Sequence, residues 1–440
     1  MATHADAREG LYFESREFRR ESTMIQSRRQ FIHGLPVIGA LPASWVSFAS
    51  ALAAPAIVPN SESYWSMVKR QFPLESNLIY VNAANVCPAS RPVLDRHLEF
   101  LRDFHANPSF QNRDKYKPMY ESLRSKLAAM LRAAPDEIAI TRNTSEGSNL
   151  VVKGIDLKAG DEILITDHNH PSNNDSWKVR ARREGLMIKS APVKIPAAGK
   201  DDLIAGFEKL ITPRTKVVAF THVTSTTGIM YPAKEITELA RKRNIWVHLD
   251  GAQSFGMLDV DLKSIGCDSY SGSAHKWLMG PLEAGVLYVR AERLPQLWPS
   301  IVTAGWADNL KGARKLEVLG QRDDPRIAAF EAAIDFINLI GMKNVESRAR
   351  ALATHVKKQL SQIPNVQLKT NLQPELSGGV VKFQIARKTT KQVYDTLYEK
   401  HRISLAMTAS GDAEGLRFSP HIYNELEELD RAAAAVRELA

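Results

Sequence analysis

The chain has 440 residues, 44% hydrophobic and 24% charged, with a formal net charge of +9. That length is too great for one small core and predicts two domains, while the composition is that of ordinary globular material. Acids and bases are interspersed, and no dense basic tract carries interleaved aromatics, so nucleic-acid binding is not supported; the mildly basic balance favours anionic substrates or a membrane face.

Residues 1–54 read as a leader. Ser27-Arg28-Arg29-Gln30-Phe31-Ile32 precedes a moderately apolar run from Leu35 to Ala54, broken by Pro36, Gly39 and Pro42, with small residues at Ala49, Ala51 and Ala53 that offer cleavage sites. The pattern resembles a bacterial twin-arginine export signal, and the run is too interrupted for a permanent membrane span. A chance Arg-Arg before a buried helix is the competing reading. The resemblance implies the twin-arginine export machinery as a partner, transport in the folded state with any cytoplasmic cofactor already loaded, and a periplasmic or secreted mature chain starting near Ala54. Met24 is a second candidate start. The two cysteines, Cys87 and Cys267, permit one disulfide in an oxidising compartment without requiring it. Cys267 reads as a core residue and Cys87 as part of a turn. No Cys/His spacing suggests a metal site.

The middle of the chain alternates short apolar runs with helical patterns. Thr141-Arg142-Asn143-Thr144-Ser145-Glu146-Gly147 leads into a helical run. Buried strands are predicted at 162–166, 216–220, 245–249 and 285–289, with a helix at 235–243 between the second and third. This order predicts an α/β domain at 75–310, with a mostly parallel sheet covered by helices on both faces. Ligands on such sheets gather at the carboxyl ends of the strands, where Asp250 and His222 fall. From about Lys311 the texture changes. Helices are expected at 327–340 and 347–360, a strand at 379–383 and a closing helix at 425–439. Residues 55–74 and 311–440 are expected to form a smaller α+β domain.

The most specific pairing is Asp250, at the end of an apolar strand, with Lys276 in the small-residue turn Ser271-Gly272-Ser273-Ala274-His275-Lys276. A lysine amine forms a Schiff base with the aldehyde of pyridoxal 5'-phosphate. A carboxylate keeps the pyridine nitrogen protonated, so that the ring acts as an electron sink. A buried strand-end carboxylate needs such a partner. A surface lysine is the ordinary alternative for either piece alone. The helix start near Thr144 and Ser145 offers backbone N–H groups and hydroxyls for a phosphate, though an ordinary N-cap has the same residues.

With these motifs in this order, the chain resembles the class V aminotransferase family of fold-type I pyridoxal phosphate enzymes, which includes cysteine desulfurases, selenocysteine lyases and isopenicillin N epimerases. The resemblance covers nearly the whole mature region. It implies Lys276 as the Schiff-base residue and general base, and Asp250 as the partner of the ring nitrogen. It places Thr144, Ser145, Ser273 and His275 at the cofactor phosphate, and His170, with His168 as the neighbour it is confused with, against the ring. It puts Ser225, where relatives often carry Asn, and Gln253 near the phenolic oxygen. Arg417, in Gly415-Leu416-Arg417-Phe418-Ser419-Pro420, matches the arginine that grips the substrate carboxylate. Gly320-Gln321-Arg322 lies where relatives reach the partner subunit's phosphate, although the usual Thr is missing. A homodimer is implied. The interval 405–412, where desulfurases carry a nucleophilic cysteine, has no thiol.

The reading is therefore an enzyme that removes the α-proton of an amino acid, as an isopenicillin N epimerase-like protein or an aminotransferase. A cysteine or selenocysteine lyase or desulfurase is the alternative. A non-catalytic binding protein on the same scaffold is the alternative of another class.

Overall fold

The structure, a computed structural model, describes residues 43–52, 60–304, 306, 311–408 and 411–440. The Arg28-Arg29 motif and residues 409 and 410 lie outside the described residues. The chain falls into two compact units, Met1–Met67 and Val68–Ala440. In the first, the helix Ala43–Leu52 buries Trp45, Phe48, Ala49 and Leu52. Among the described residues no helix is long and apolar enough to cross a membrane.

The second unit contains three sheets. Strand β1 (Ile79–Tyr80) is followed by β2 (Ile138–Thr141), β3 (Glu162–Thr166), β4 (Met187–Ala191), β5 (Thr215–Thr221), β6 (Trp246–Asp250), β7 (Ser269–Ser273) and β8 (Gly285–Val289). The last seven form one sheet in the order β2-β8-β7-β6-β5-β3-β4. Neighbours from β7 to β4 are parallel, and β8 alone runs against them. All residues of β6 are buried, as expected of a strand covered on both faces. On one face the helices Thr144–Gly154 and Pro171–Glu184 contribute Val151, Ile155, Trp177 and Ala181 to a core with Ile163, Val217 and Trp246. On the other, Phe220 packs against Phe207 and Tyr231.

Strands β9 (Val366–Leu368), β10 (Val381–Ile385), β12 (Ala406–Thr408) and β13 (Gly415–Phe418) make an antiparallel sheet in the order β12-β13-β10-β9, and β11 (Ile403–Ser404) pairs with β1. Val381, Phe383, Leu416 and Phe418 face a core shared with Leu352, Val356 and Leu429. Residues 79–82 thus pair with C-terminal strands, although they lie in the stretch assigned to the large domain. Helix Pro325–Ile340, assigned to the small domain, is tied to helix Tyr116–Leu131 by Lys126–Asp335 at 2.7 Å.

Three elements depart from the sequence expectation. The helix expected at 235–243 runs Ala233–Arg241 and ends before Asn244, whose φ is +53°. The helix expected from Ser347 starts at Met342, just after Gly341. The charged residues of its first turns hide the period. The strand expected at 379–383 runs Val381–Ile385. Gly379 lies before it under Trp277, whose ring would stand 2.7 Å from a Cβ there.

Candidate active site

Strands β5, β6 and β7 end side by side, with Thr221 opposite Asp250 and Asp250 opposite Ser271. The chain turns sharply after Asp250. Gly251 is required there, because a Cβ would overlap the Tyr270 ring. Asp250 is 2% exposed, and one of its oxygens accepts the Ala252 N–H at 2.9 Å. Burial pushes its carboxyl upward, against the Ala252 N–H and the charges of Lys276 and His170. Asn173 lies in the same field and pulls the carboxyl down. Yet its buried amide has neither Nδ2 nor Oδ1 in hydrogen-bonding geometry with any described group.

Lys276 follows β7 in the turn at 274–278. Burial lowers its amine to about 8; Asp250 opposes that shift and Arg417 adds to it. An ammonium desolvated in this way is partly neutral near neutral pH and nucleophilic. His275 beside it is brought to about 4, first by burial and then by the Lys276 charge. Its buried Nδ1 has no partner among the described residues.

The helix Thr144–Gly154 begins at Asn143, whose side chain accepts the Glu146 N–H at 2.9 Å. The Thr144 N–H donates to Ser273 Oγ at 2.8 Å, and the two hydroxyls also lie 2.8 Å apart. The structure therefore joins Thr144 and Ser273, two of the expected phosphate residues, at one helix start. Ser145 faces the other way: it is exposed and lines a cleft of about 400 Å³ with Arg142, Glu146, Asn149 and Lys153.

His170 caps the helix Pro171–Glu184, its Nδ1 accepting the Ser172 N–H at 3.3 Å. That bond requires an unprotonated Nδ1. Burial and the charges of Lys276 and Arg417 lower this imidazole, while Asp250 raises it. His168 lies instead 3.5 Å from Thr227 Oγ1, in the field of Asp167 and Asp412. Of the two histidines, only His170 shares the neighbourhood of Lys276 and Asp250.

Gln253 is buried, donating to the Ala84 carbonyl at 2.9 Å and accepting from the Trp277 indole at 2.7 Å. One amide N–H remains for a ligand. Ser225 enters through its backbone, as its carbonyl accepts Arg417 Nη1 at 2.7 Å. Arg417 Nη2 donates to Asn82 Oδ1 at 2.9 Å, and its buried Nε has no partner. Burial lowers the guanidinium to about 10, and among the described residues no carboxylate pairs with it. Arg322 is committed within its own chain, to the carbonyls of Ile140 and Glu317.

Sequence reasoning missed Asn82 and Asn173. Asn82 has no local motif and reaches the site only because β1 pairs with β11. Asn173 had a signal, as it follows the candidate His170 by three residues. The cysteines are both buried and unpaired. Cys87 Sγ lies 3.5 Å from the Tyr423 hydroxyl, and burial pushes the thiol up to about 12.

A partly neutral lysine on a strand-end turn, a buried aspartate opposing its shift and a hydroxyl-lined helix start thus lie on one α/β sheet. The buried His275 Nδ1, without a partner among the described residues, is a polar position that a pyridoxal phosphate group would satisfy. The profile of the family described as aminotransferase class-V matches residues 79–432, and the chain belongs to that family of pyridoxal phosphate-dependent enzymes. Isopenicillin N epimerase of Amycolatopsis lactamdurans is 32% identical over 86% of this chain and 98% of its own. A probable cysteine desulfurase of Methanothermobacter thermautotrophicus is 27% identical over 85% and 97%. Among solved structures, the complex of the cystine C–S lyase C-DES with cysteine persulfide superposes with a TM-score of 0.76 at 25% identity, over 84% of this chain and 99% of that one. An apo cysteine desulfurase from Thermococcus onnurineus gives the same score and identity, over 84% and 97%.

Proposed function

We propose that the protein binds pyridoxal phosphate at Lys276 and removes the α-proton of an amino acid, either epimerising it in the manner of an isopenicillin N epimerase or acting as an aminotransferase. The observation that carries this reading is the half-buried Lys276 lying in the fields of both Asp250 and Arg417, while no described carboxylate neutralises Arg417. When bound, the cofactor supplies an electron sink for charge developing at the substrate α-carbon.

The chain's own residues do the rest. Lys276 Nζ would hold the cofactor, and its free amine would be placed to take the α-proton of the substrate. Asp250 stays anionic against the protonated ring nitrogen, with the Asn173 amide beside it. Thr144, Ser273 and His275 provide donors at the phosphate end, with Ser145 at the outer edge of the helix start. His170, whose Nδ1 accepts the Ser172 N–H and whose imidazole is lowered by burial and then by the Lys276 and Arg417 charges, would cover the ring. Gln253 presents its remaining N–H. Arg417 grips the substrate carboxylate in a plane fixed by Asn82 and Ser225. Epimerisation would further require a proton donor on the opposite face of the α-carbon.

A second reading, a lyase acting on C–S or C–Se bonds, is supported by the solved relatives. A version that forms a persulfide on an enzyme cysteine is disfavoured, because the interval 405–412 has no thiol and burial pushes the Cys87 thiol up to about 12. An amino-acid panel in deuterated water, including D-enantiomers, separates these outcomes. We expect deuterium at the α-carbon of at least one amino acid and no sulfide dependent on Cys87. Sulfide release from cysteine that vanishes in Cys87→Ser overturns the reading.

A further inference from the structure

We propose that the substrate carries a second carboxylate on its side chain, and that Lys382 selects it. This rests on the reading of Arg417 as the α-carboxylate clamp. In the antiparallel pairing of β10 with β13, Lys382 lies opposite Arg417, and directly opposed residues project from the same face of a sheet. Their neighbours Val381, Phe383, Leu416 and Phe418 point to the other face, into the apolar core. The face carrying the two cations is therefore turned towards the 224–228 loop. Arg417 touches the Ser225 carbonyl there, and Thr370 Oγ1 accepts the Lys382 N–H at 2.7 Å while donating to the Thr227 carbonyl at 2.6 Å.

Lys382 is 0% exposed. Its Nζ donates to Thr408 Oγ1 and to the Gly415 carbonyl, each at 2.8 Å. A third N–H is left over, because an ammonium has three. No described carboxylate forms an ion pair with it. Burial, then the like charges of Arg417 and Lys369, lower its amine to about 7, so that an acid arriving beside it would restore the charge. Glu414 acts more weakly, and its Oε1 is held by the Thr390 hydroxyl at 2.9 Å.

A buried ammonium without an acid is costly. A lysine needed only to tie Thr408 to Gly415 would bear that cost for two neutral hydrogen bonds. An arriving anion removes it. Lys382 feels the Arg417 charge, so a short acidic side chain on a substrate held by Arg417 lies within the same field. Aspartate and glutamate have such side chains.

The test is titration of the holoenzyme with glutamate against glutamine and aspartate against asparagine, following the visible absorbance of the bound cofactor. The wild type should bind one of the acids at least about tenfold tighter than its amide, a difference of about 1.4 kcal/mol. Lys382→Met should abolish that ratio while leaving affinity for the amide unchanged, and Lys382→Arg should retain it. Equal affinity for acid and amide in the wild type overturns the proposal, as does a Lys382→Met variant that weakens both alike. If Lys382→Met does not fold, the wild-type ratio and Lys382→Arg decide the matter. A protein that takes up no cofactor fails at an earlier step, which marks the failure of the cofactor reading itself.

Discussion

At Arg417 the chain holds a half-buried guanidinium with two neutral partners, Asn82 and the Ser225 carbonyl, and a buried Nε left over. Arg417→Met should raise the KM for the amino acid by about 10²-fold or more, the cost of leaving a desolvated carboxylate unpaired, with the cofactor absorbance intact. Asn82→Ala should give a milder rise of the same kind. Asp250 acts on the rate instead: Asp250→Asn should slow α-proton exchange by about 10²-fold, while the KM changes less. Lys276 makes the apoprotein pH-sensitive. Its amine is lowered from 10.5 to about 8 by burial, and the neutral form is the nucleophile. The rate of cofactor uptake by apoprotein should rise with pH and level off above about 8. The sign for stability follows from the same shift. Between about 8 and 10.5 the unfolded chain binds more protons than the folded one, so apoprotein stability should rise with pH across that window. A flat uptake profile from pH 6 to 9 would contradict this placement of the lysine.

At the scale of elements, the site depends on the helix Thr144–Gly154 lying close against β7. Gly147 makes that approach possible, since a Cβ there would stand 2.9 Å from Ser271 Cβ. Gly147→Val should cost about 1–3 kcal/mol of stability through overpacking. It should also weaken phosphate binding, read as a higher Kd for pyridoxal phosphate, because the Thr144–Ser273 contact is displaced. The same elements show how much was legible in the sequence. Asp250, Lys276 and Ser273 sit in short local motifs beside buried strands, and runs of apolar residues bounded by turns place those strands well. Lys382 and Asn82 were not legible as site residues. Asn82 lies 335 positions from Arg417, and Lys382 gains its meaning only from the antiparallel register of β10 with β13. Ser225 was legible by position but not by atom: its carbonyl, present in any residue, is the group that meets Arg417. Ser145 read as a second phosphate hydroxyl, whereas the helix geometry turns it towards the open cleft.

For the whole molecule we propose a homodimer exported by the twin-arginine route, the first from the family resemblance and the second from Ser27-Arg28-Arg29-Gln30-Phe31. Light scattering on the purified holoenzyme should return twice the mass of the chain. Replacing Arg28 and Arg29 with lysines should trap the protein, cofactor bound, in the cytoplasm of a bacterial host. Export unchanged by that substitution would remove the leader reading and leave the site untouched. The central claim, however, is that one amine carries the cofactor, and it is tested by the visible spectrum of the purified protein. Wild-type protein equilibrated with pyridoxal phosphate and freed of excess should remain yellow, and Lys276→Ala should lose the absorbance of the lysine-bound form. A colourless wild type, or a Lys276→Ala spectrum identical to it, would contradict the account.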